Sequence, residues 1–161
     1  MKILSKEFSN VNYDSSISPA LTVTPGELFQ LQTKSILTHP ELFPESVWIP
    51  VTGPVYVEGA KPGAVLKVDI VKIELTGGKG AIITLAGKGG FAHKITESIY
   101  KTVQYDNKYV YFNDTIKVPL RPHIGKVGVT PPGPAIKSSS PGPHGGNMDI
   151  TDVSDGSSVY L

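Results

Sequence analysis

The chain has 161 residues, with 15 Lys and Arg against 14 Asp and Glu, a net charge of +1, no cysteine, 17 Gly and 14 Pro. That length is one domain or part of one, and the lack of cysteine excludes a disulfide framework, a thiol nucleophile and a Cys-ligated zinc. The balanced charge offers no electrostatic footprint for nucleic acid or an anionic membrane, while Gly and Pro at 31 of 161 residues predict a turn-rich chain that still folds.

From the amino terminus, Met1 to Phe8 carries Lys2, Lys6 and Glu7 and no apolar stretch of signal length. No window approaches the roughly 20 apolar residues that cross a bilayer. A cytoplasmic protein with neither membrane nor nucleic acid as partner is the expectation. Pro25-Gly26 marks a turn, and His39 to Trp48 is a weak helical candidate in which Pro40 suits a first turn and Pro44 interrupts. Strand signals then dominate, as short β-branched runs bounded by Gly, Pro, Asn and Asp: Val55 to Val57, Val65 to Ile73, Ala81 to Leu85, Tyr109 to Phe112 and Thr115 to Val118. Within Val65 to Glu74, alternation places Leu66, Val68, Ile70, Lys72 and Glu74 on one face and Lys67, Asp69 and Val71 on the other, which leaves the buried face open.

Lys61-Pro62-Gly63, Gly77-Gly78 and Asp106-Asn107 supply the turn chemistry between these runs. Tyr105 to Tyr109 reads as a hairpin tip, held by packing of Tyr111 and Phe112 on Val103 or Tyr105. Only Phe91 to Tyr100 has helical spacing, with Phe91, Ala92, Ile95, Ile99 and Tyr100 as its apolar positions, and its Gly89-Gly90 entrance lacks a good cap. The architecture expected is mainly β, a barrel or sandwich of antiparallel strands with little helix. Pro131-Pro132-Gly133-Pro134 and Ser138 to Pro143 cannot form central strands, so by composition they read equally as a flexible linker.

Beyond that stretch, Gly142-Pro143-His144-Gly145-Gly146-Asn147-Met148-Asp149 places an imidazole, a carboxamide and a carboxylate within six positions, on a backbone that two glycines allow to fold tightly. Such a loop can aim His144 and Asp149 at a common point, and N/O ligands of this kind suit Zn²⁺ or another divalent ion; a histidine resting in a Gly-rich turn is the plainer alternative. His39, His93 and His123 read as surface or core histidines. Glu58 ends an apolar strand just before Gly59, a position suited to a base or ligand and equally to an exposed strand-end charge. Gly87-Lys88-Gly89-Gly90 has neither nucleotide-binding spacing, and no Ser lies in a G-x-S-x-G elbow. Asn113-Asp114-Thr115 is a glycosylation acceptor in form only, since nothing directs secretion. The tyrosines and phenylalanines, interleaved with valines, read as core and not as base-stacking platforms.

Three collinear motifs carry a more specific signal. Thr52 to Gly63 (Thr52-Gly53-Pro54-Val55-Tyr56-Val57-Glu58-Gly59-Ala60-Lys61-Pro62-Gly63), Ile124 to Pro131 and Gly142 to Asp149 together resemble, in order and spacing, the acetamidase/formamidase family. Val23 to Glu27 and Asp155 to Leu161 resemble it too. The resemblance implies a mainly β fold and hydrolysis of short-chain amides such as formamide and acetamide to the acid and ammonia. It also implies a divalent metal, Zn or Ca, at the site, with His144 and Asp149 as metal-site residues and Glu58 and Asn147 as catalytic residues. In that scheme a metal polarises the amide carbonyl and acidifies a bound water, and a carboxylate moves the proton to the leaving ammonia.

Departures accompany the match. Members of the family are roughly twice as long, with further site residues in a second half; Ala64 stands where Asp is usual, and His123 where an apolar residue is usual. The whole of 1–161 is therefore expected to be one acetamidase/formamidase-like β domain, truncated relative to the family, acting on a small amide substrate with a complementary second-half chain or as a homo-oligomer. Two alternatives are a truncated remnant that keeps the fold without catalysis, and a β-rich module that binds carbohydrate or peptide.

Overall fold

A computed structural model describes residues 1–35 and 50–161. His39 and the helix expected over His39 to Trp48 lie outside the described residues. Among those described, seventeen short strands follow one another and no helix forms. They are β1 (Lys2–Leu4), β2 (Ser9–Asn10), β3 (Asn12–Tyr13), β4 (Leu21–Val23), β5 (Phe29–Leu31), β6 (Val51–Thr52), β7 (Val55–Val57), β8 (Lys67–Asp69) and β9 (Lys79–Thr84). The remainder are β10 (Ile99–Tyr105), β11 (Tyr109–Tyr111), β12 (Lys117–Pro119), β13 (Lys126–Gly128), β14 (Ile136–Lys137), β15 (Pro141–Gly142), β16 (Gly145–Asn147) and β17 (Ser158–Tyr160). Among the described residues no helix is long and apolar enough to cross a membrane.

The mainly β expectation holds, in a sandwich-like arrangement of small sheets, and among the described residues no sheet closes into a barrel. Most pairs are antiparallel, as expected, and two are parallel, β1 with β5 and β4 with β7. The reason is topological. Each parallel pair joins strands separated by a long excursion of chain, which a tight hairpin cannot supply.

The longest sheet is a four-stranded antiparallel meander, β12-β11-β10-β9, built from consecutive segments. Its tip between β10 and β11 is fixed by Asp106, whose Oδ1 accepts from the backbone N–H groups of Lys108 and Tyr109 at 2.7 Å each. Tyr111 lies across from Gln104, and its hydroxyl donates to Asp106 Oδ2 at 2.6 Å. These bonds, led by that of Tyr111, hold the Asp106 carboxyl down at about 2. Phe112 lies beneath the Lys101 ammonium, 4.0 Å from ring centre to nitrogen.

The helix expected over Phe91 to Tyr100 does not form. Residues 90–94 make a turn, in which the N–H groups of Lys94 and Ile95 donate to the Phe91 carbonyl, and Ile99 and Tyr100 join β10 opposite Thr84 and Ile83 of β9. An uncapped segment of ten residues opening on two glycines is marginal as a helix, and the β-branched Ile99 pairs well on a sheet.

The run Val65 to Ile73 narrows to β8, with the ladder to β17 extended by Leu66 and Leu161 exchanging both backbone bonds. Ile70 is buried, Leu66 and Val68 are half-buried, and Lys67 pairs with Asp69 in solvent at 2.8 Å, which settles the buried face. The Pro-rich stretch is docked and not a free linker. β14 pairs with β3, the Ser138 N–H donates to the Val11 carbonyl at 2.8 Å, and Pro141 sits on β15, an edge strand, where its missing N–H breaks no ladder.

Candidate active site around the Gly142 to Asp149 loop

β16 is the central strand of the sheet β13-β16-β15, and its glycines are sterically required. Gly145 and Gly146 have φ of 85° and 87°, a region costly for any residue with a Cβ. A Cβ on Gly145 would lie 2.5 Å from the Val127 carbonyl oxygen, and one on Gly146 would lie 2.3 Å from the Ser140 carbonyl oxygen and 2.8 Å from His144 Nε2. Bare backbone at these two positions lets β13 and β15 close on β16 and draws the His144 ring into the interior.

His144 is 4% exposed, and its imidazole meets the Tyr13 ring edge to face with centroids 5.0 Å apart. Gly128 permits the approach, because a Cβ there would lie 2.7 Å from the His144 carbonyl oxygen and 3.2 Å from the Tyr13 ring. That carbonyl accepts from the Val129 N–H at 2.9 Å. Among the described residues the ring has no such partner: Nδ1, Nε2 and the Tyr13 hydroxyl are all buried without a hydrogen bond. Burial pushes the Tyr13 phenol up to about 12.

Asp149 and Asn147 lie on the rim. Asp149 is exposed and takes a φ of 51°; its N–H donates to the Gly125 carbonyl at 2.9 Å, and its Oδ1 lies 2.6 Å from where a Gly125 Cβ would stand. Asn147 pairs across the sheet with Lys126. Burial lowers the Lys126 ammonium, against which the Asp149 charge acts. The loop thus divides the predicted residues, with the His144 ring turned inward on Tyr13 and Asn147 and Asp149 outward beside Lys126.

Glu58 is exposed at the end of β7, its N–H donating to the Val23 carbonyl at 2.9 Å before the Gly59 turn. One short segment ties its motif to the His144 loop. Phe8 accepts from the Gly53 N–H, the Asn10 carboxamide donates to the Gly53 carbonyl, Val11 accepts from Ser138, and Tyr13 pairs with Ile136. His93 and His123 are exposed away from this core, as expected. Sequence reasoning missed Tyr13 and passed over Lys126, although Lys126 lies inside the Ile124 to Pro131 motif. Nothing in the dipeptide Asn12-Tyr13 signals its role.

A catalytic zinc requires three protein ligands and a structural one four. Among the described residues no three His, Asp or Glu side chains gather to hold an ion. His144 alone, with its unmatched nitrogens, answers to a ligand, and one imidazole is not a coordination shell. The described residues do not by themselves fit the divalent ion.

A mainly β protein with a buried histidine in a double-glycine loop is the class that fold and site define. The chain belongs to the acetamidase/formamidase family, which matches residues 6–139. It is similar to an acetamidase from Bacillus halodurans, at 31% identity and a TM-score of 0.89 over 99% of this chain and 56% of that one. A predicted acetamidase/formamidase from Thermoanaerobacter tengcongensis is 33% identical, with a TM-score of 0.91 over 99% of this chain and 56% of that one. An acetamidase from Yersinia enterocolitica, 23% identical with a TM-score of 0.85 over 99% of this chain and 55% of that one, shares the fold. The comparison with curated proteins gives no match. The chain spans little more than half the length of these solved relatives.

Proposed function

We propose that the chain takes part in hydrolysis of short linear amides, of the formamide and acetamide type, to a carboxylate and ammonia, together with a second polypeptide that supplies what the longer relatives carry. The observation that carries this reading is the family match over residues 6–139, which joins the Glu58 motif to the strands beneath the His144 loop. In the reaction a water oxygen adds to the carbonyl carbon as its proton passes to a base. The C–N bond then breaks, and the nitrogen leaves with that proton as ammonia.

Glu58 is the proposed base. It is an accessible carboxylate on a strand end fixed by β4, with no side chain of its own engaged in a described ion pair. The Asn147 carboxamide is a donor suited to the negative charge that develops on the carbonyl oxygen. His144 is the buried imidazole of the same loop. A zinc or calcium ion would take His144 and Asp149 only together with ligands from outside the described residues, and no step here passes through one.

Ammonia release from formamide and acetamide tests the reading, with the chain alone and with a polypeptide corresponding to the uncovered part of the solved relatives. Turnover by the pair, with little from either part, is the expected outcome. Silence of a folded, assembled pair would reduce the chain to a remnant that keeps the family fold without its chemistry.

A further inference from the structure

Among the described residues, no strand outside the β9 to β12 meander pairs with it. Its register sorts the side chains onto two faces. One face carries Ile82, Ile99, Phe112, Ile116 and Val118, with the buried Val103 among them, while the other includes Lys79, Thr102, Gln104, Tyr111 and Lys117. The five are exposed, Ile99, Ile116 and Val118 by half or more. An antiparallel sheet normally packs its apolar face on something, and one left open to water marks an interaction surface.

Charge says what fits it. The meander and its loops, residues 79–119, hold six lysines against Glu97, Asp106 and Asp114, and Asp106 is bound up in its own turn. The apolar face bears Lys101, which lies across from Ile82 and rests on the Phe112 ring. Residues 138–161 are the opposite, with Asp149, Asp152 and Asp155 and no lysine or arginine. The three aspartates are exposed, and so is Ile150 beside them. An apolar residue among carboxylates complements an apolar face bearing an ammonium, whereas two meanders laid face on face would set like charges together.

Size agrees. With strands about 4.8 Å apart and about 3.3 Å per residue, the four-stranded face measures roughly 20 Å by 20 Å, or about 400 Å². A single contact of that size buries about 800 Å² from both partners, short of the roughly 1,200 Å² at which stable interfaces begin; two reciprocal contacts bury about 1,600 Å².

We propose that the meander docks a second copy of this chain: the apolar face of each copy closes on the Asp149 to Asp155 segment of the other, Lys101 meeting Asp152, in a two-fold exchange. This goes beyond the amide-hydrolysis reading and does not depend on it. Because Asp149 opens that segment, the exchange sets the meander of one copy beside the His144 loop of the other.

Sedimentation equilibrium of the full chain tests the proposal, with melting as the check on folding. The wild type is expected to be a dimer at micromolar concentration. Ile116→Lys, a change at an exposed side chain, should weaken the dimer at least about tenfold. Lys101→Glu and Asp152→Lys should each weaken it too, and the double variant, in which the charges are exchanged, should regain most of the affinity. A monomeric wild type would overturn the proposal, as would a dimer indifferent to Ile116→Lys. A dimer broken by Ile116→Lys but untouched by Asp152→Lys would overturn the assignment of the acidic segment as the occupant of the face. Ammonia release by the assembled pair decides the amide reading separately.

Discussion

The β9 to β12 meander and the β13-β16-β15 sheet are both antiparallel, yet opposite features hold them. The meander is local. Its strands are consecutive, its tip is tied by Asp106 to residues two to five positions along, and among its side chains only Val103 is buried while Ile82, Ile99, Phe112, Ile116 and Val118 stay exposed. The His144 sheet is assembled by contacts remote in the chain. Tyr13 arrives from the amino-terminal part on β3, Gly125 holds Asp149, and Ser140 and Val127 press on two glycines that leave no room for a side chain. A turn that supplies its own hydrogen bonds tolerates change, whereas a site built on close backbone approach does not.

Glycine substitution separates the two regions most sharply. Gly146→Ala forces a Cβ into the Ser140 carbonyl at 2.3 Å at a φ of 87°, and urea unfolding is expected to show a loss of about 3 kcal/mol or more. Gly87→Ala, next to the meander at a φ of 66° with nothing within 4 Å, is expected to lose only about 1 kcal/mol, the strain of the left-handed conformation. Equal losses would erase the contrast.

The two ends of the pH scale give a smaller and complementary contrast. The Asp106 carboxyl is depressed to about 2 from an unfolded value of about 3.9, so its contribution is present above about pH 4 and vanishes as pH falls through about 2. Asp106→Asn should therefore be less stable than wild type at neutral pH and equal to it near the acid end. The Tyr13 phenol is raised to about 12 from about 10. Its contribution is whole below about pH 10 and is lost as pH rises through about 12. Tyr13→Phe should flatten that alkaline decline, and an unchanged decline would mean that the phenol is not buried in the folded chain.

How far the sequence reads ahead follows the same division. The Asp106-Asn107 turn, β7 with Glu58 at its end, and the strand around Lys67 to Asp69, though not its buried face, were legible, because each depends on residues within a few positions. The helix expected over Phe91 to Tyr100 failed on a tertiary term, since Ile99 and Tyr100 have β9 to pair with and the segment has no cap. At the loop, glycine spacing pointed to His144 but carried no sign of Tyr13, because β3 meets β14 only in the folded chain. Nor did the spacing foretell the division of the loop. Residues 144, 147 and 149 look convergent on paper, but the positive φ of Gly145, Gly146 and Asp149 turns the imidazole inward and leaves the carboxylate on the rim.

The most direct measurement is acetamide hydrolysis by the assembled pair carrying His144→Phe, with melting recorded alongside. An aromatic ring of similar reach keeps the packing on Tyr13 and removes both nitrogens, so the fold should hold while kcat/KM falls by about a hundredfold or more, the scale of a lost polar group at the reacting centre. Hydrolysis at the wild-type rate would place the chemistry elsewhere in the assembly and contradict the account.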